Sequence, residues 1–269
     1  MARAVEFEVT VDTSTFSAVQ LQPGRVASVT WNALARWLRA NLVSFPALIA
    51  EESTGLVVMG FHLQYREPIS FFECDAFRVR ATLRAMRRGE RCRLDLKVFV
   101  PGRELATVRL ILCPVAIEDP VSLGAAPAPL SEQLLARFEA DEVESASPVR
   151  VVPDRLTFVE TRGTLLAEGS VPFVVHRHRS EVAEQWAWTE LPALVEGARE
   201  PLALATPALR RVLRDPMRSF DVEFVKPLVS FDHGEIVTRA YAVDAHLGLV
   251  HRIVSRGGSV LHATVVELF

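Results

Sequence analysis

Two stretches of this chain repeat the same spacing of aromatic residues and proline. Phe61 to Phe72 reads FHLQYREPISFF, and Phe220 to Phe231 reads FDVEFVKPLVSF. Each stretch has Phe at its first and last positions, an aromatic residue at the fifth and Pro at the eighth. Such a repeat constrains the fold strongly, because both copies are then expected to form the same strand and the same turn.

The same spacing continues outside these two stretches. They lie 159 residues apart, and the Ala-Thr-Val sequence at 106–108 recurs 157 residues later at 263–265. An offset of 157 also places Trp31 on Trp188 and Leu34 on Leu191. Three segments in the same order at nearly one offset predict a duplicated unit of roughly 120 residues.

The first copy is predicted to consist of one strand, one long helix and then an antiparallel meander. Val5 to Val11 alternates apolar and polar residues, as a half-buried strand does. Ser28 or Thr30 can cap a helix that runs to about Phe45, where Pro46 ends it. Four strands joined by short turns follow, at Leu56–Tyr65, Ala76–Met86, Arg91–Val100 and Leu105–Ile117. This order predicts an α+β fold with the helix packed on one face of the sheet.

The second copy repeats the order with one irregularity. Thr164 to His178 is predicted to be a strand or hairpin, and Trp186 to Ala198 the helix. Pro192 does not fit an undisturbed helix interior, so the helix either begins near Thr189 or is kinked. Residues 204–213 are predicted to form a short surface helix. Three strands are predicted to close the chain: Ser219–Lys226 leading into Asp232–Ala245, then Leu249–Ser255, then Val260–Leu268. We predict a first unit at 1–118, a linker at 119–148 and a second unit at 149–269.

This order of elements resembles the hotdog fold of acyl-thioesterases and dehydratases. Two copies in one chain are similar to the double-hotdog arrangement of acyl-CoA and acyl-carrier-protein thioesterases. The resemblance implies two repeats, each with a long central helix wrapped by an antiparallel sheet. It also implies a site between the two units, to which both units contribute.

The resemblance implies candidate site residues in the segment HRHRSEVAEQWAW. Aligned with the loop that precedes the central helix in small hotdog thioesterases, Glu181 takes the position of the acid. Gln185 takes the position of the family's histidine, and Trp188 stands where an asparagine is usual. The corresponding residue of the first unit, 157 positions earlier, is Gly24. A single candidate site is therefore expected, with Glu181 as its base or nucleophile.

Thioester hydrolysis needs a base or nucleophile and a donor for the developing oxyanion. Glu181 is expected to lie just before the central helix, with unpaired backbone N–H groups of Gln185 and Trp186 pointing into a site. The alternative is that Glu181 caps the helix, interacts with its dipole or faces solvent.

Several polar residues are candidates for substrate binding. His176 and His178 would share one face of the predicted incoming strand, although the alternation also allows a solvent-facing position. The first unit offers Asn32, His62 and Tyr65. Each of these residues has an alternative, purely structural role.

A series of arginines lies in one predicted hairpin, at positions 78, 80, 84, 87, 88, 91 and 93. Such a patch suits the phosphates of coenzyme A or an acidic carrier protein. A solvated strand face is the alternative.

Composition narrows the class of protein. The formal net charge is −3, and no lysine-rich tail indicates a nucleic-acid partner. No stretch is long and apolar enough to predict a membrane span or a signal peptide. Three cysteines without a CxxC motif, and histidines without ligand spacing, predict reduced thiols, no metal site and a cytoplasmic location.

The combined expectation is a thioesterase that hydrolyses an acyl-CoA or acyl-carrier-protein substrate. It would need no cofactor of its own, because the substrate carries coenzyme A or phosphopantetheine. The alternatives are a non-catalytic acyl-binding or assembly protein with decayed sites, and a hotdog dehydratase or hydratase. Pairing of two chains into a homodimer stays open.

Overall fold

The computed structural model describes residues 2–119 and 123–269. The strands are β1 (Ala4–Thr10), β2 (Thr54–Tyr65), β3 (Ala76–Met86), β4 (Arg91–Val100), β5 (Arg103–Asp119), β6 (Gly124–Pro127), β7 (Val143–Glu144), β8 (Thr164–Val174), β9 (Ser219–Phe224), β10 (His233–Val243), β11 (His246–Ser255) and β12 (Leu261–Leu268). The α-helices are α1 (Pro23–Asn41), α2 (Phe45–Ala50), α3 (Glu132–Leu135), α4 (Val151–Arg162) and α5 (Leu191–Ala205). None of the helices in these ranges is long and apolar enough to cross a membrane.

All the strands belong to one sheet, whose main path is β1-β3-β4-β5-β2-β9-β12-β11-β10-β8. Strands β6 and β7 pair with β5 and β3 off this path. We call β1 to β5 the N-terminal half-sheet and β8 to β12 the C-terminal half-sheet. Every pair along the main path is antiparallel. Within residues 2–119 and 123–269, the two half-sheets are joined where β2 pairs with β9, so this strand pair positions each half-sheet against the other.

The register of β2 on β9 is the one that a duplicated chain would give. Phe61 lies opposite Val222, and Leu63 lies opposite Phe220. Adding the offset of 159 converts Phe61 to Phe220 and Leu63 to Val222, so it exchanges these two pairs. This internal pseudo-twofold relation supports the duplication proposed from the sequence, while the unit boundaries at 118 and 149 stay a prediction.

Helix α1 covers one face of the N-terminal half-sheet, which we call the inner face. Its buried side is apolar at the helical spacing and includes Ala33, Leu34, Trp37 and Leu38. The helix begins at Pro23, five residues before Ser28, because Pro is well suited to a first turn that needs no N–H donor. The predicted run to Phe45 was too long: α1 ends at Asn41, and Pro46 lies in the first turn of the separate helix α2.

Helix α5 has the corresponding place on the C-terminal half-sheet. The predicted start at Trp186 was wrong, because Trp188 to Glu190 form a 3-10 turn and α5 begins at Leu191. Pro192 therefore lies in the first turn and interrupts no hydrogen bond. The alternative of a late start was the correct one. The predicted surface helix at 204–213 is a 3-10 helix at Pro207–Leu213.

Helix α4 was not predicted from the sequence. It packs on the opposite, outer face of the C-terminal half-sheet, where Val152 and Val159 contact an apolar cluster that includes Tyr241, Val250 and Val266. The amphipathic pattern of α4 is weak because only a narrow stripe of it is buried.

In the segment predicted to be a linker, β6 pairs with β5, and the buried Glu142 binds Arg3 through Oε2 at 2.6 Å.

Candidate active site

A tight loop between β8 and α5 presents Glu181. The Glu181 N–H donates to the Gln185 carbonyl at 2.7 Å, and the Glu184 N–H donates to the Glu181 carbonyl at 3.0 Å. Glu184 has a left-handed φ of 54°, which closes the turn. The Trp186 N–H donates to the Leu228 carbonyl at 2.8 Å, so the loop is attached to the segment that follows β9.

This loop forms one wall of a cavity of about 150 Å³ between the two halves of the molecule. Trp31 of α1 and residues 56–59 of β2 line it from the N-terminal half. The loop, the end of β9 and the start of β12 line it from the C-terminal half. This volume is below the range of about 300–1,000 Å³ that is usual for ligand sites, but an apolar lining with a few polar groups is typical of a site for a small organic ligand.

Aromatic rings close the inner end of the cavity. Trp188 is 6% exposed and meets Trp31 edge to face, with ring centroids 5.9 Å apart and an angle of 75°. Its ring also contacts Phe61 at 5.3 Å. The Trp188 Nε1 atom is buried and has no hydrogen-bond partner among the described residues. An unpaired indole N–H beside a cavity is available to a ligand.

The carboxyl group of Glu181 is the acidic group on the cavity wall. Glu181 as a residue is exposed, but the protein atoms around its carboxyl group remove part of its hydration. This desolvation raises the pKa of Glu181 above its usual value, while a hydrogen bond from the backbone N–H of Trp188 lowers the pKa in part. The cause is the loss of hydration of the charged form, which favours the protonated carboxyl. A carboxyl with a raised pKa is better matched to proton transfer near neutral pH than an ordinary glutamate is.

A histidine that the sequence analysis did not select lies on the same cavity wall. His262 is 7% exposed, and its Nδ1 atom lies 3.2 Å from both the Lys226 and the Pro227 carbonyl oxygens. Carbonyl oxygens only accept hydrogen bonds, so Nδ1 carries the proton, and in the neutral ring Nε2 keeps its lone pair. His262 thus brings a second proton acceptor to the cavity.

The repeat contained a signal for His262. An offset of 157 places it on Leu105, at the start of an otherwise matching Ala-Thr-Val segment. A histidine that replaces a core leucine in one copy only is a departure from the repeat.

The cavity contains three of the predicted residues, because Gln185 and Trp188 line it together with Glu181. Helix α5 begins ten residues after Glu181, at Leu191, so both the capping interpretation and the expectation that Glu181 lies just before the central helix were wrong. Glu181 is an exposed residue, as the solvent-facing alternative predicts. The expectation of an unpaired Trp186 N–H was also wrong, because that group is bonded to Leu228.

His176 and His178 lie outside the cavity. Strand β8 ends at Val174, so His178 falls in a 3-10 turn and not on a strand face. Both side chains are exposed, and their rings stack with centroids 5.6 Å apart. The extended period-two pattern does not continue to these residues, because the chain turns toward Glu181.

The three candidates of the first unit also lie elsewhere. Asn32 is exposed on α1, where its Oδ1 accepts from Arg36 Nε at 2.7 Å. The Tyr65 hydroxyl donates to the Leu21 carbonyl at 2.6 Å. His62 points to the outer face of the sheet, opposite Asp221. Among the residues described, no group of three or more His, Cys, Asp or Glu is placed to hold a metal ion.

Known structures share this architecture over nearly the whole chain. A protein from Lactobacillus plantarum that is named as an oleoyl thioesterase matches with a TM-score of 0.75 and 10% identity, over 99% of this chain and 96% of the other. The 12:0-ACP thioesterase from Umbellularia californica matches with a TM-score of 0.70 and 11% identity, over 99% and 94%. An acyl-ACP thioesterase from Bacteroides thetaiotaomicron matches with a TM-score of 0.67 and 11% identity, over 99% and 97%.

Comparison by sequence identifies no relative. No protein-family model matches the chain, and no curated protein matches it. At 10 to 11% identity, the structural matches establish the fold and leave the reaction open.

Proposed function

From the double-hotdog fold of this chain, we propose that the protein hydrolyses an acyl thioester in the cavity that Glu181, His262 and Trp188 line. The observation that carries the proposal is the convergence of these three groups on one small cavity between the two halves. The Glu181 carboxyl group has a pKa that is raised by desolvation. His262 has a lone pair on Nε2, and the indole N–H of Trp188 has no hydrogen-bond partner among the described residues.

In this proposal Glu181 acts as a general base. Its carboxylate takes a proton from a water molecule, and the oxygen of that water attacks the carbonyl carbon of the thioester. Negative charge then develops on the carbonyl oxygen, and the Trp188 Nε1–H donates a hydrogen bond to it. When the carbon–sulfur bond breaks, the thiolate leaves with the proton held by Glu181. His262 Nε2 accepts a hydrogen bond from the attacking water and orients it.

The cavity size favours a small acyl group. A volume of about 150 Å³ is comparable to an engineered apolar cavity that holds one benzene molecule. Trp31 and Trp188 both line the cavity and occupy space that a longer chain would need. We therefore propose a short or aromatic acyl group, carried by coenzyme A or by the phosphopantetheine of a carrier protein. Three free cysteines favour a cytoplasmic location for the reaction.

A non-catalytic acyl-binding protein is the second candidate, and the eroded loop favours it. Gln185 takes the place expected for a histidine, and Gly24 takes the place of an acid in the first copy. His262 weakens this alternative, because it restores a proton acceptor to the one cavity that keeps a carboxyl group.

Hydrolysis of a panel of acyl-CoA and acyl-carrier-protein substrates tests the proposal. Glu181→Gln is compared with Glu184→Gln, a matched change three residues away in the same loop at an exposed glutamate that pairs with Arg177. We expect wild type and Glu184→Gln to turn over, and Glu181→Gln to lose roughly 100-fold or more in rate. Equal turnover by Glu181→Gln and wild type would refute the mechanism. Binding of acyl thioesters by wild type without any turnover would favour the acyl-binding alternative.

A further inference from the structure

A row of polar residues crosses the outer face of the sheet where the two half-sheets meet. Asp221 on β9 lies opposite His62 on β2, which lies opposite Arg109 on β5. Arg109 in turn lies opposite Asp95 on β4. Directly opposed residues of neighbouring strands share one face of a sheet, and four strands span about 14 Å.

A second row runs beside the first, two residues further along each strand. It consists of Ser219, Gln64, Thr107, Lys97 and Arg80 on five consecutive strands. The two rows form the floor of a cleft of about 690 Å³, and Val151 and Arg155 of α4 form a wall. This volume lies in the usual range for sites that bind small organic molecules.

Four buried polar atoms at this cleft lack a hydrogen-bond partner within residues 2–119 and 123–269. They are Asp221 Oδ2, Ser219 Oγ, His62 Nδ1 and Arg109 Nε. Asp221 and Ser219 are each 3% exposed. The nearest basic side chains to Asp221 are His62, with Nδ1 at 3.4 Å from Oδ1, and Arg155, with Nε at 3.7 Å from Oδ2. Unsatisfied donors and acceptors that face one cleft indicate that a ligand completes them.

The charge of the cleft indicates which ligand. Five arginines and one lysine line it against three carboxylates, at positions 66, 80, 84, 97, 109 and 155 against 95, 104 and 221. Lys97 pairs with Glu104 at 2.9 Å and Arg109 with Asp95 at 3.5 Å, so a bound phosphate would share these cations with the carboxylates. The carboxylate of Asp221 lies at the buried end, beside α4, whereas Arg80 and Lys97 lie toward the far strands. A matching ligand has negative charge at one end and hydrogen-bond donors at the other.

We propose that this cleft binds a small organic phosphate that also carries hydroxyl groups. Its phosphate oxygens would accept from Arg80, Lys97 and Arg109, and its hydroxyl groups would donate to Asp221 and Ser219. A free nucleoside diphosphate has this chemistry, and so does the nucleotide end of coenzyme A. The cleft lies on the outer face of the sheet, and the proposal does not depend on thioester hydrolysis in the inner cavity.

A second copy of the chain suits the cleft less well. The centres of protein interfaces are depleted of charged residues, whereas the floor of this cleft is mostly charged or polar. The corresponding outer face of the C-terminal half-sheet is apolar and is already covered by α4.

Isothermal titration calorimetry with ADP, coenzyme A and inorganic phosphate tests the proposal. Arg80→Gln is compared with Arg78→Gln, which removes the same charge from the same strand and face but lies outside the cleft. Both arginines are exposed, so neither change is expected to unfold the protein. We expect ADP and coenzyme A to bind to the wild type, and Arg80→Gln to weaken binding roughly ten-fold or more while Arg78→Gln does not. Asp221→Asn should weaken ADP binding more than phosphate binding.

Three results would overturn the proposal. The first is that none of the three ligands binds at millimolar concentration. The second is that Arg78→Gln weakens binding as much as Arg80→Gln, which would indicate a diffuse charge effect. The third is that coenzyme A binds with an affinity that Arg80→Gln and Asp221→Asn leave unchanged, since the coenzyme would then be held elsewhere. Thioester turnover, measured in parallel, separates these results from a failure of the proposed hydrolysis.

Discussion

The indole rings of Trp31 and Trp188 meet edge to face at 5.9 Å and close the cavity between the two halves of the molecule. The sequence repeat aligns the same two tryptophans at an offset of 157. Residues that correspond in the two copies thus come into contact, and their contact limits the space beside Glu181.

Removing one of these rings should lengthen the acyl chain that the protein accepts. Trp31→Ala opens the end of the cavity without changing Glu181, His262 or Trp188. We expect the preferred chain to become longer by several carbons, at a stability cost of about 3 kcal/mol or less because Trp31 is only half-buried. Rates against a series of acyl-CoA chain lengths measure the change. An unaltered chain-length profile in a folded Trp31→Ala protein would show that these rings do not limit the substrate.

The proposed base should set the acidic limb of the pH profile. Desolvation raises the pKa of Glu181, so the active carboxylate forms only above the usual range of a glutamate. We expect kcat/KM to rise with pH through this raised pKa. Any residual activity of Glu181→Gln should lack that limb, and Glu184→Gln should retain it.

The same raised pKa predicts that Glu181 destabilises the folded protein when it is ionised. The folded state holds the proton more tightly than the unfolded state, so stability decreases as pH rises from the ordinary pKa to the raised one. Replacing Glu181 by Gln removes this cost. We expect the Tm of Glu181→Gln at pH 8 to be equal to or higher than that of wild type, and a clearly lower Tm would contradict this role.

A buried cluster of charged and polar side chains, which connects α5 with β11 and β12, should make the stability of the protein decrease at low pH. Arg199 Nη1 donates to Glu267 Oε1 at 2.6 Å, and His251 Nε2 lies 3.1 Å from Glu267 Oε2. Burial would raise the pKa of Glu267, but Arg199 and His251 outweigh it and the pKa is lowered. A lowered pKa contributes stability above the ordinary value, and this stability is lost as pH falls through the lowered pKa.

Glu267→Gln is therefore expected to lower the free energy of unfolding by roughly 3–5 kcal/mol at pH 7, because Arg199 stays buried without its main partner. Glu168→Gln, which breaks the surface pair with Arg239, should cost about 1 kcal/mol or less. Urea denaturation at pH 7 and at lower pH measures both variants. Equal losses for the two would mean that the buried cluster adds no more stability than a surface pair.

The three thiols should differ in reactivity. Burial raises the pKa of Cys92 to about 12, so almost none of it is thiolate at neutral pH. Cys74 is half-buried, and Cys113 is buried. In titration with a thiol-reactive chromophore, we expect at most Cys74 to react in the folded protein and all three to react after unfolding. Rapid labelling of Cys92 at pH 7 would contradict its placement in the core.

Strands such as β1, β3 and β4 were predictable because they alternate less exposed and more exposed residues and are bounded by turn residues, whereas β6 and β7, in the segment predicted to be a linker, were not predicted. The bounds predicted for the strands that begin near 56, 76 and 91 differ from β2, β3 and β4 by two residues or fewer. Helix α4 was missed because it buries only a narrow stripe, so its apolar periodicity is weak. The start of α5 was left open by the sequence, because Pro192 is compatible either with the first turn of a helix that begins late or with a kink inside a longer helix.

The candidate site was predictable only in part. Glu181, Gln185 and Trp188 come from one loop, so a local alignment could find them together. His262 lies on β12, 81 residues after Glu181, and reaches the cavity only through the pairing of β12 with β9. Asn32, Tyr65, His176 and His178 were chosen by residue type, and the direction in which each of them points is set by packing.

The α+β class and the matching of Trp31 with Trp188 follow from the sequence alone, because periodicity and repeated spacing can be read from the chain itself. The predicted meander of four consecutive strands was wrong at its first strand, because β2 pairs with β5 and β9 and not with β3. Tertiary structure decided which side chains share a cavity. His62 shows the difference: its place on β2 was predictable, but the pairing of β2 with β9 set it opposite Asp221 on the outer face. His62 therefore points away from the cavity that Glu181 lines, because successive residues of a strand point to opposite faces of the sheet.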